Sequence, residues 1–467
     1  MQENYFHHHL YSSYNNFKEV SLANQWLKQS DILPLIEKLK GNNLFTIEKA
    51  GSSVENRDIF LISAGQGKTK ILFWSQMHGD ESTATMAIFD LLNFLKADDD
   101  FNSIRKKILS DSTLYFVPML NPDGAEKYQR RNAQDIDINR DALSLQSPEA
   151  KILSSTVERL KPEFGFNLHD QSSRYAAGKS FKSAAISFLS PVYDEDKSIN
   201  ESRLKSIKII SHLNKVLSNF IPEHIARFKD SYEPRAFGDN VQKRGTSTIL
   251  IETGVWKEDS QKQFLRKLNF VTFLTAINTI CQETYKEEDT DNYFAIPENE
   301  EILFDLIIRN VTMNYNTAPY QVDIGINLYA TGEANTIWYK GLIDDIGDLS
   351  GCYGHDEIDC SGMTAEEGMT YSKKLNSVDE ISKLDLTKLY KNGFTSVFVT
   401  DKNLKSDFTL YPIIVSQNEN NLNQIKTGFP AQLIIKKNNS TKYTIINGFI
   451  CDIETATNRI RNGIIIK

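Results

Sequence analysis

Residues 71–96, ILFWSQMHGDESTATMAIFDLLNFLK, decide the fold. Ile71-Leu72-Phe73-Trp74 is too short for a helix and uninterrupted enough for a strand buried on both faces. From about Ser82 to Lys96 the apolar residues Met86, Ile88, Phe89, Leu91, Leu92 and Leu95 keep helical spacing. The same rhythm continues outward. Before this stretch, apolar positions over 22–40 predict a helix, kinked or split at Pro34, and Phe45–Glu48 and Asp58–Ala64 read as strands. After it, Thr113–Val117, Phe164–Leu168 and Ser247–Ile251 read as strands, and 148–160, 201–219 and 259–282 as helices. Alternation of this kind implies an α/β sheet covered on both faces, with ligands gathered beyond the carboxyl ends of its strands.

The 467 residues exceed one typical domain, and 40% hydrophobic with 24% charged residues is ordinary for a globular chain. Near 284 the texture changes: KEEDTDNYFAIPENEE is acidic, contains proline and shows no apolar period. The expected division is 1–283 for the α/β domain, 284–299 for a linker and 300–467 for a smaller all-β accessory domain. A net charge of −8 offers no basic field for a polyphosphate, so no nucleic-acid partner is expected. No window is apolar enough to span a bilayer, and the first thirty residues show no secretory leader. With four cysteines, free thiols and a cytoplasmic location are the expectation, unless a leader was removed ahead of this numbering. His7-His8-His9 reads as an exposed polar stretch.

Two histidines fall just past predicted strands, where such a sheet places its site. His78 follows the strand at 71–74, with Glu81 three residues on at the start of the next helix. His169 ends the strand Phe164–Leu168. Two imidazoles and one carboxylate make a three-ligand open zinc set that leaves a position for water. His-x-x-Glu by itself recurs by chance, and a lone His78 reads equally as a satisfied surface histidine. His212 and His224 read as helix-surface and loop histidines. Cys352, His355 and Cys360 lack the spacing of a closed zinc knuckle.

Five blocks in order, MHGDE at 77–81, VPMLNPDGAE at 117–126, RRNAQDIDINRD at 130–141, NLHD at 167–170 and TSTILIETG at 246–254, resemble the zinc carboxypeptidases of the funnelin (carboxypeptidase A-like) clan. The resemblance covers about residues 45–280 and implies a mixed β-sheet with helices on both faces. It implies Zn2+ held by His78, Glu81 and His169, with Asp137 bonding a zinc-bound histidine and fixing its tautomer. Asn139 and Arg140 match the pair that holds a substrate's terminal carboxylate, and a planar, forked guanidinium suits that anion. Arg130 matches the arginine that polarises the scissile carbonyl, with Arg131 as the neighbouring alternative. Glu252 matches the catalytic glutamate; a strand-end salt bridge is the plain reading of that carboxylate. Tyr232, in KDSYEPRAFGDNVQKRG, stands nearest to the family's substrate-binding tyrosine, but the block does not align cleanly. Arg235 there is placed to meet a second anionic group, and the NPDG turn to shape the rim of the site.

The function expected is a zinc-dependent metallocarboxypeptidase acting on a peptide or peptide-like substrate with a free C-terminal carboxylate. The alternatives are a zinc deacylase or amidase of the succinylglutamate desuccinylase and aspartoacylase type, a murein-peptide amidase, and a binding module. Side-chain preference and oligomeric state are not legible.

Overall fold

The computed structural model describes residues 2–316, 318–418, 424–455 and 457–467. The chain divides between Glu301 and Ile302 into two compact units. The first runs α1 (Gln2–Ser13), α2 (Gln29–Lys40), β1 (Phe45–Ser52), β2 (Asp58–Ala64), β3 (Thr69–Trp74), α3 (Thr83–Lys96), α4 (Asn102–Asp111), β4 (Ser112–Val117), α5 (Pro122–Lys127) and α6 (Pro148–Leu160). It continues with β5 (Phe164–Asp170), β6 (Tyr175–Ala177), β7 (Ile186–Leu189), α7 (Glu201–Leu217), β8 (Ile225–Arg227), α8 (Phe237–Lys243), β9 (Ser247–Thr253), α9 (Gln263–Gln282), α10 (Asp291–Phe294) and β10 (Asn299–Glu301).

Eight of these strands form one mixed sheet in the order β1-β2-β4-β3-β5-β9-β7-β8. Its centre, β4-β3-β5-β9, is parallel, while β1, β2 and the β7·β9 pair are antiparallel. Alternation along β3 sends neighbouring side chains to opposite layers. Phe73 stacks with Phe116 and Phe166, ring centroids 5.3 and 4.3 Å away, under α3 and α9. Leu72 and Trp74 join the other core, with Leu153 of α6 and Phe237 and Val241 of α8. The strand is buried on both faces, hence its unbroken apolar run.

Four expectations about this unit need correction. The helix expected from 22 begins at Gln29 and runs unsplit past Pro34. The histidine stretch is not an exposed run: it lies in α1, whose Phe6 and Leu10, four apart, bury one stripe and carry His7 inward to Thr275 Oγ1 at 3.1 Å. His212 is likewise buried, its Nδ1 3.0 Å from Glu288 Oε1.

Glu288 belongs to the acidic stretch read as a linker. That stretch is folded into the first unit: Tyr285, Tyr293 and Ile296 are buried, the Ser190 amide donates to Tyr293 Oη at 3.1 Å, and β10 pairs with β6. Isolated apolar anchors in a polar background give no period to read.

The second unit is β-rich, with a nine-stranded and a five-stranded sheet, a 3-10 turn at Val378–Lys383 and a short helix at Leu386–Lys391. Cys360 and Cys451 are buried in its cores as free thiols. Among the described residues, no helix is long and apolar enough to cross a membrane.

One buried ion pair ties the N-terminal segment to the sheet's helices. Asp90 of α3 and Arg266 of α9 are fully buried and meet through two bonds, Nε–Oδ2 at 2.7 Å and Nη2–Oδ1 at 2.5 Å. Tyr14 Oη and the Glu19 amide donate to the same carboxylate, and Arg266 donates to the carbonyls of Glu19 and Leu22. Breaking a buried pair strands a charge and costs about 3–5 kcal/mol. Arg266→Met should therefore lower the unfolding free energy from urea titration by that amount, whereas the Lys107–Asp111 surface pair, broken by Lys107→Met, should change it by under about 1 kcal/mol.

Candidate active site

The site is built where β3, β5 and β9 end. After Trp74 the chain turns through Gln76, whose φ of +47° lies in the left-handed region. Its side chain secures the turn: Nε2 donates to Leu27 O and Gly79 O at 3.0 and 2.9 Å, and Oε1 accepts from Thr85 Oγ1 at 3.0 Å. Gly79 is required by close approach, since a Cβ there would lie 2.0 Å from the Gly124 carbonyl carbon. The Glu81 amide then bonds His78 O at 3.2 Å, bringing imidazole and carboxylate to one side. His78 Nδ1 lies 2.7 Å from Glu81 Oε1. His169, on the penultimate residue of β5, brings its Nδ1 to 2.8 Å from Glu81 Oε2. One donor atom from each of His78, Glu81 and His169 falls within 4.8 Å of the others. All three side chains are essentially buried.

Asp137 and Asn139 approach the outer ring nitrogens. Asp137 Oδ1 sits 3.1 Å from His78 Nε2, so His78 donates outward and turns Nδ1 towards the shared centre. Asn139 Nδ2 is 3.4 Å from His169 Nε2, and its Oδ1 accepts from the Phe237 amide at 2.9 Å. Burial alone would lower the pKa of His78, but Glu81 and Asp137 outweigh it and raise it to about 9. Burial also works against the Glu81 and Asp137 carboxylates, yet their cationic neighbours hold both well below the usual range. A donor set of two imidazole nitrogens and a carboxylate, with Asp137 accepting from the outer nitrogen of His78, fits Zn2+.

The NPDG segment is the start of α5 rather than a free turn. Asn121 caps the helix by accepting from the Gly124 amide at 2.9 Å, and its Nδ2 donates to Arg130 O at 3.3 Å. Asn132 folds the following loop by accepting the amides of Gln134 and Ile136 and donating to Glu149. Of the two arginines in that loop, Arg130 faces the cluster. Its Nε and Nη2 reach Asp137 Oδ2 at 3.1 and 3.0 Å, and its Nη1 lies 3.4 Å from Glu81 Oε1. Arg131 donates to Asp135 O on the outside.

Arg140, partly exposed, donates to Asn139 O at 2.7 Å and leaves its Nε 3.7 Å from Glu233 Oε2. Arg235 grips Glu233 through two bonds and holds that carboxyl at about 2. Tyr232 is held elsewhere: its hydroxyl accepts from Lys243 Nζ at 3.3 Å, and among the described residues no hydrogen bond links it to the cluster.

Glu252 lies directly opposite His169 in the β5·β9 register. Among the described residues no hydrogen bond or ion pair engages its carboxylate, so the strand-end salt bridge is not formed. Burial, and then the Glu81 charge, push its carboxyl well above the usual range. Two further groups were not singled out from sequence. Asp170 accepts from Thr83 Oγ1 at 2.6 Å while its amide donates to Glu81 Oε2 at 3.2 Å, and Lys262 is buried 3.4 Å from the Asp170 carboxylate. The signal for Asp170 was a second charge directly after a strand-terminal histidine; Lys262 has no local signal.

The Zinc carboxypeptidase family profile matches residues 32–180. That segment holds His78, Glu81, Arg130, Asp137, Asn139, Arg140 and His169, and ends before Glu252. The "Probable carboxypeptidase 2" of Trichophyton verrucosum (strain HKI 0517) is 24% identical over 166 residues, covering 35% of this chain and 29% of its own. "Carboxypeptidase D" of Homo sapiens is 23% identical over 114 residues, covering 21% of this chain and 8% of its own. The chain thus spans less than a third of the length of these relatives. A metallo-carboxypeptidase from Burkholderia cenocepacia is similar in structure at a TM-score of 0.45 and 17% identity, over 56% of this chain and 70% of that one. Residues 32–180 thus match the zinc carboxypeptidase family, and these relatives are what the chain is similar to.

Proposed function

We propose that the chain is a zinc-dependent metallocarboxypeptidase that hydrolyses the amide bond before the C-terminal residue of a peptide or peptide-like substrate. The observation that carries this reading is the meeting of His78 Nδ1, Glu81 and His169 Nδ1 beside a carboxylate, Glu252, that forms no hydrogen bond or ion pair among the described residues. Zinc, when bound, supplies Lewis acidity and lowers the pKa of water. The other roles belong to the chain. Glu252 takes a proton from the attacking water and passes it to the departing amine, a task favoured by a carboxyl that burial holds above the usual range. Arg130 offers N–H groups to the carbonyl oxygen as charge grows there. Arg140, with Asn139, holds the terminal carboxylate in the space that Glu233 now approaches. Tyr232 binds substrate only if it leaves Lys243. Residues 1–301 are the catalytic domain and 302–467 an accessory domain.

The purified chain should hold about one zinc. His169→Ala should lose that metal with its circular dichroism intact, and Asp137→Ala should weaken zinc affinity about 10–100-fold. Full retention of metal by His169→Ala would put the site elsewhere.

Glu252→Gln should keep zinc and substrate affinity while turnover falls about 10²–10⁴-fold. Activity within a few-fold of the parent would remove Glu252 as the proton carrier.

A free-acid peptide should be cleaved roughly tenfold to a hundredfold faster than its C-terminal amide, the worth of one charged hydrogen-bonded contact at about 1.5–3 kcal/mol. Arg140→Gln should erase the difference. Equal rates in the parent chain would instead favour the deacylase or amidase alternative.

A chain ending at Glu301 should fold cooperatively, bind zinc and hydrolyse a small substrate. A soluble, zinc-loaded chain of that length with no activity would assign part of the site to residues 302–467.

A further inference from the structure

We infer that Lys262 is a positioning residue that locks the ends of β5 and β9 together, and through them sets His169 against Glu252; the inference rests on the function proposed above. Lys262 is 7% exposed, and lysine is almost never buried to this degree unless paired. An ammonium has three N–H donors, and three acceptors surround this one: Gly254 O at 2.8 Å, Thr253 O at 3.3 Å and Asp170 Oδ2 at 3.4 Å. Thr253 and Gly254 directly follow Glu252, and Asp170 directly follows His169. One cation therefore bridges the last residues of the two parallel strands that carry these groups.

The bridge extends to the third element of the site. The Asp170 carboxylate that meets Lys262 also accepts from Thr83 Oγ1 at 2.6 Å, at the first residue of α3, two beyond Glu81. The Asp170 amide donates to Glu81 Oε2 at 3.2 Å. Lys262 is itself fixed in place. Its φ of +54° is in the left-handed region, its amide donates to Asp259 O at 2.9 Å, and its carbonyl accepts from the Arg266 amide at 2.8 Å. The Glu252 side chain has no hydrogen bond among the described residues, so its position depends on the backbone that carries it, which pairs with β5 and β7 and is gripped just beyond, at Thr253 O and Gly254 O, by Lys262.

The test compares Lys262→Met with the Asp170→Asn/Lys262→Met double variant in the zinc-loaded full chain. The single variant strands the Asp170 charge and cuts the tether; the double variant removes the charge and leaves the tether cut. A purely structural charge balance would return all properties in the double variant, whereas a positioning role would return stability alone. The expected result is a Tm that falls in the single variant and recovers in the double, with kcat on a free-acid peptide reduced about tenfold to a hundredfold in both and KM changed by less than about threefold. Zinc affinity, read by chelator competition, should stay within about tenfold of the parent. Amide hydrogen exchange over 250–255 should quicken in both variants, a readout that needs no catalysis. Recovery of kcat in the double variant, unchanged exchange over 250–255, or loss of zinc would overturn the inference. A parent chain inactive on every free-acid peptide would count against the proposed function, and the exchange measurement would then decide the tether.

Discussion

The register of β3, β5 and β9 is the constraint on which the site depends. The three strands run parallel side by side, with Trp74 opposite Asn167 and His169 opposite Glu252, so their carboxyl ends share one edge. Residues at or just past these ends therefore meet one another although 88 and 171 positions separate Glu81 from His169 and Glu252. A one-residue slip of β9 would turn Glu252 to the opposite face and replace it with an apolar or hydroxyl side chain. Ile249 and Ile251 of β9 resist such a slip, since both are buried in the same core as Phe73 and Phe166, with Ile249 directly opposite Phe166.

Burial makes the charges at this edge interdependent. Glu81, Asp137, Asp170 and Glu252 crowd into little space, and each uncompensated carboxylate there would be costly. His78, His169, Arg130 and Lys262 stand between them. Asp137 meets His78 and Arg130, one oxygen of Asp170 meets Thr83 and Lys262, and Glu81 meets both histidines. Of these four carboxylates, Glu252 has no hydrogen-bond or ion-pair partner among the described residues, and its carboxyl is pushed upwards by burial and by the Glu81 charge. The group the arrangement leaves unsatisfied is the one best suited to exchanging a proton.

Local features were legible in sequence, and long-range ones were not. The strand at 71–74, its turn and α3 follow from adjacent residues, so His78 and Glu81 came into view together. His169 and Glu252 stood out because each ends a short apolar run. α1 escaped notice because three histidines mask the Phe6–Leu10 stripe, and residues 284–299 read as a linker because Tyr285, Tyr293 and Ile296 dock singly rather than periodically. Lys262 sits in a charged, glutamine-rich stretch whose burial exists only after β5 and β9 pair. Tyr232 and Arg235 lie on a loop whose contacts, Lys243 and Glu233, carry no pattern at all.

The most direct measurement is a crystal structure with anomalous scattering recorded at the zinc edge. The account predicts one peak, about 2.0–2.2 Å from His78 Nδ1, His169 Nδ1 and a Glu81 oxygen, with the Glu252 carboxylate facing it. A peak on other residues, or density showing the two histidines turned so that their Nε2 atoms bind the ion, would contradict it.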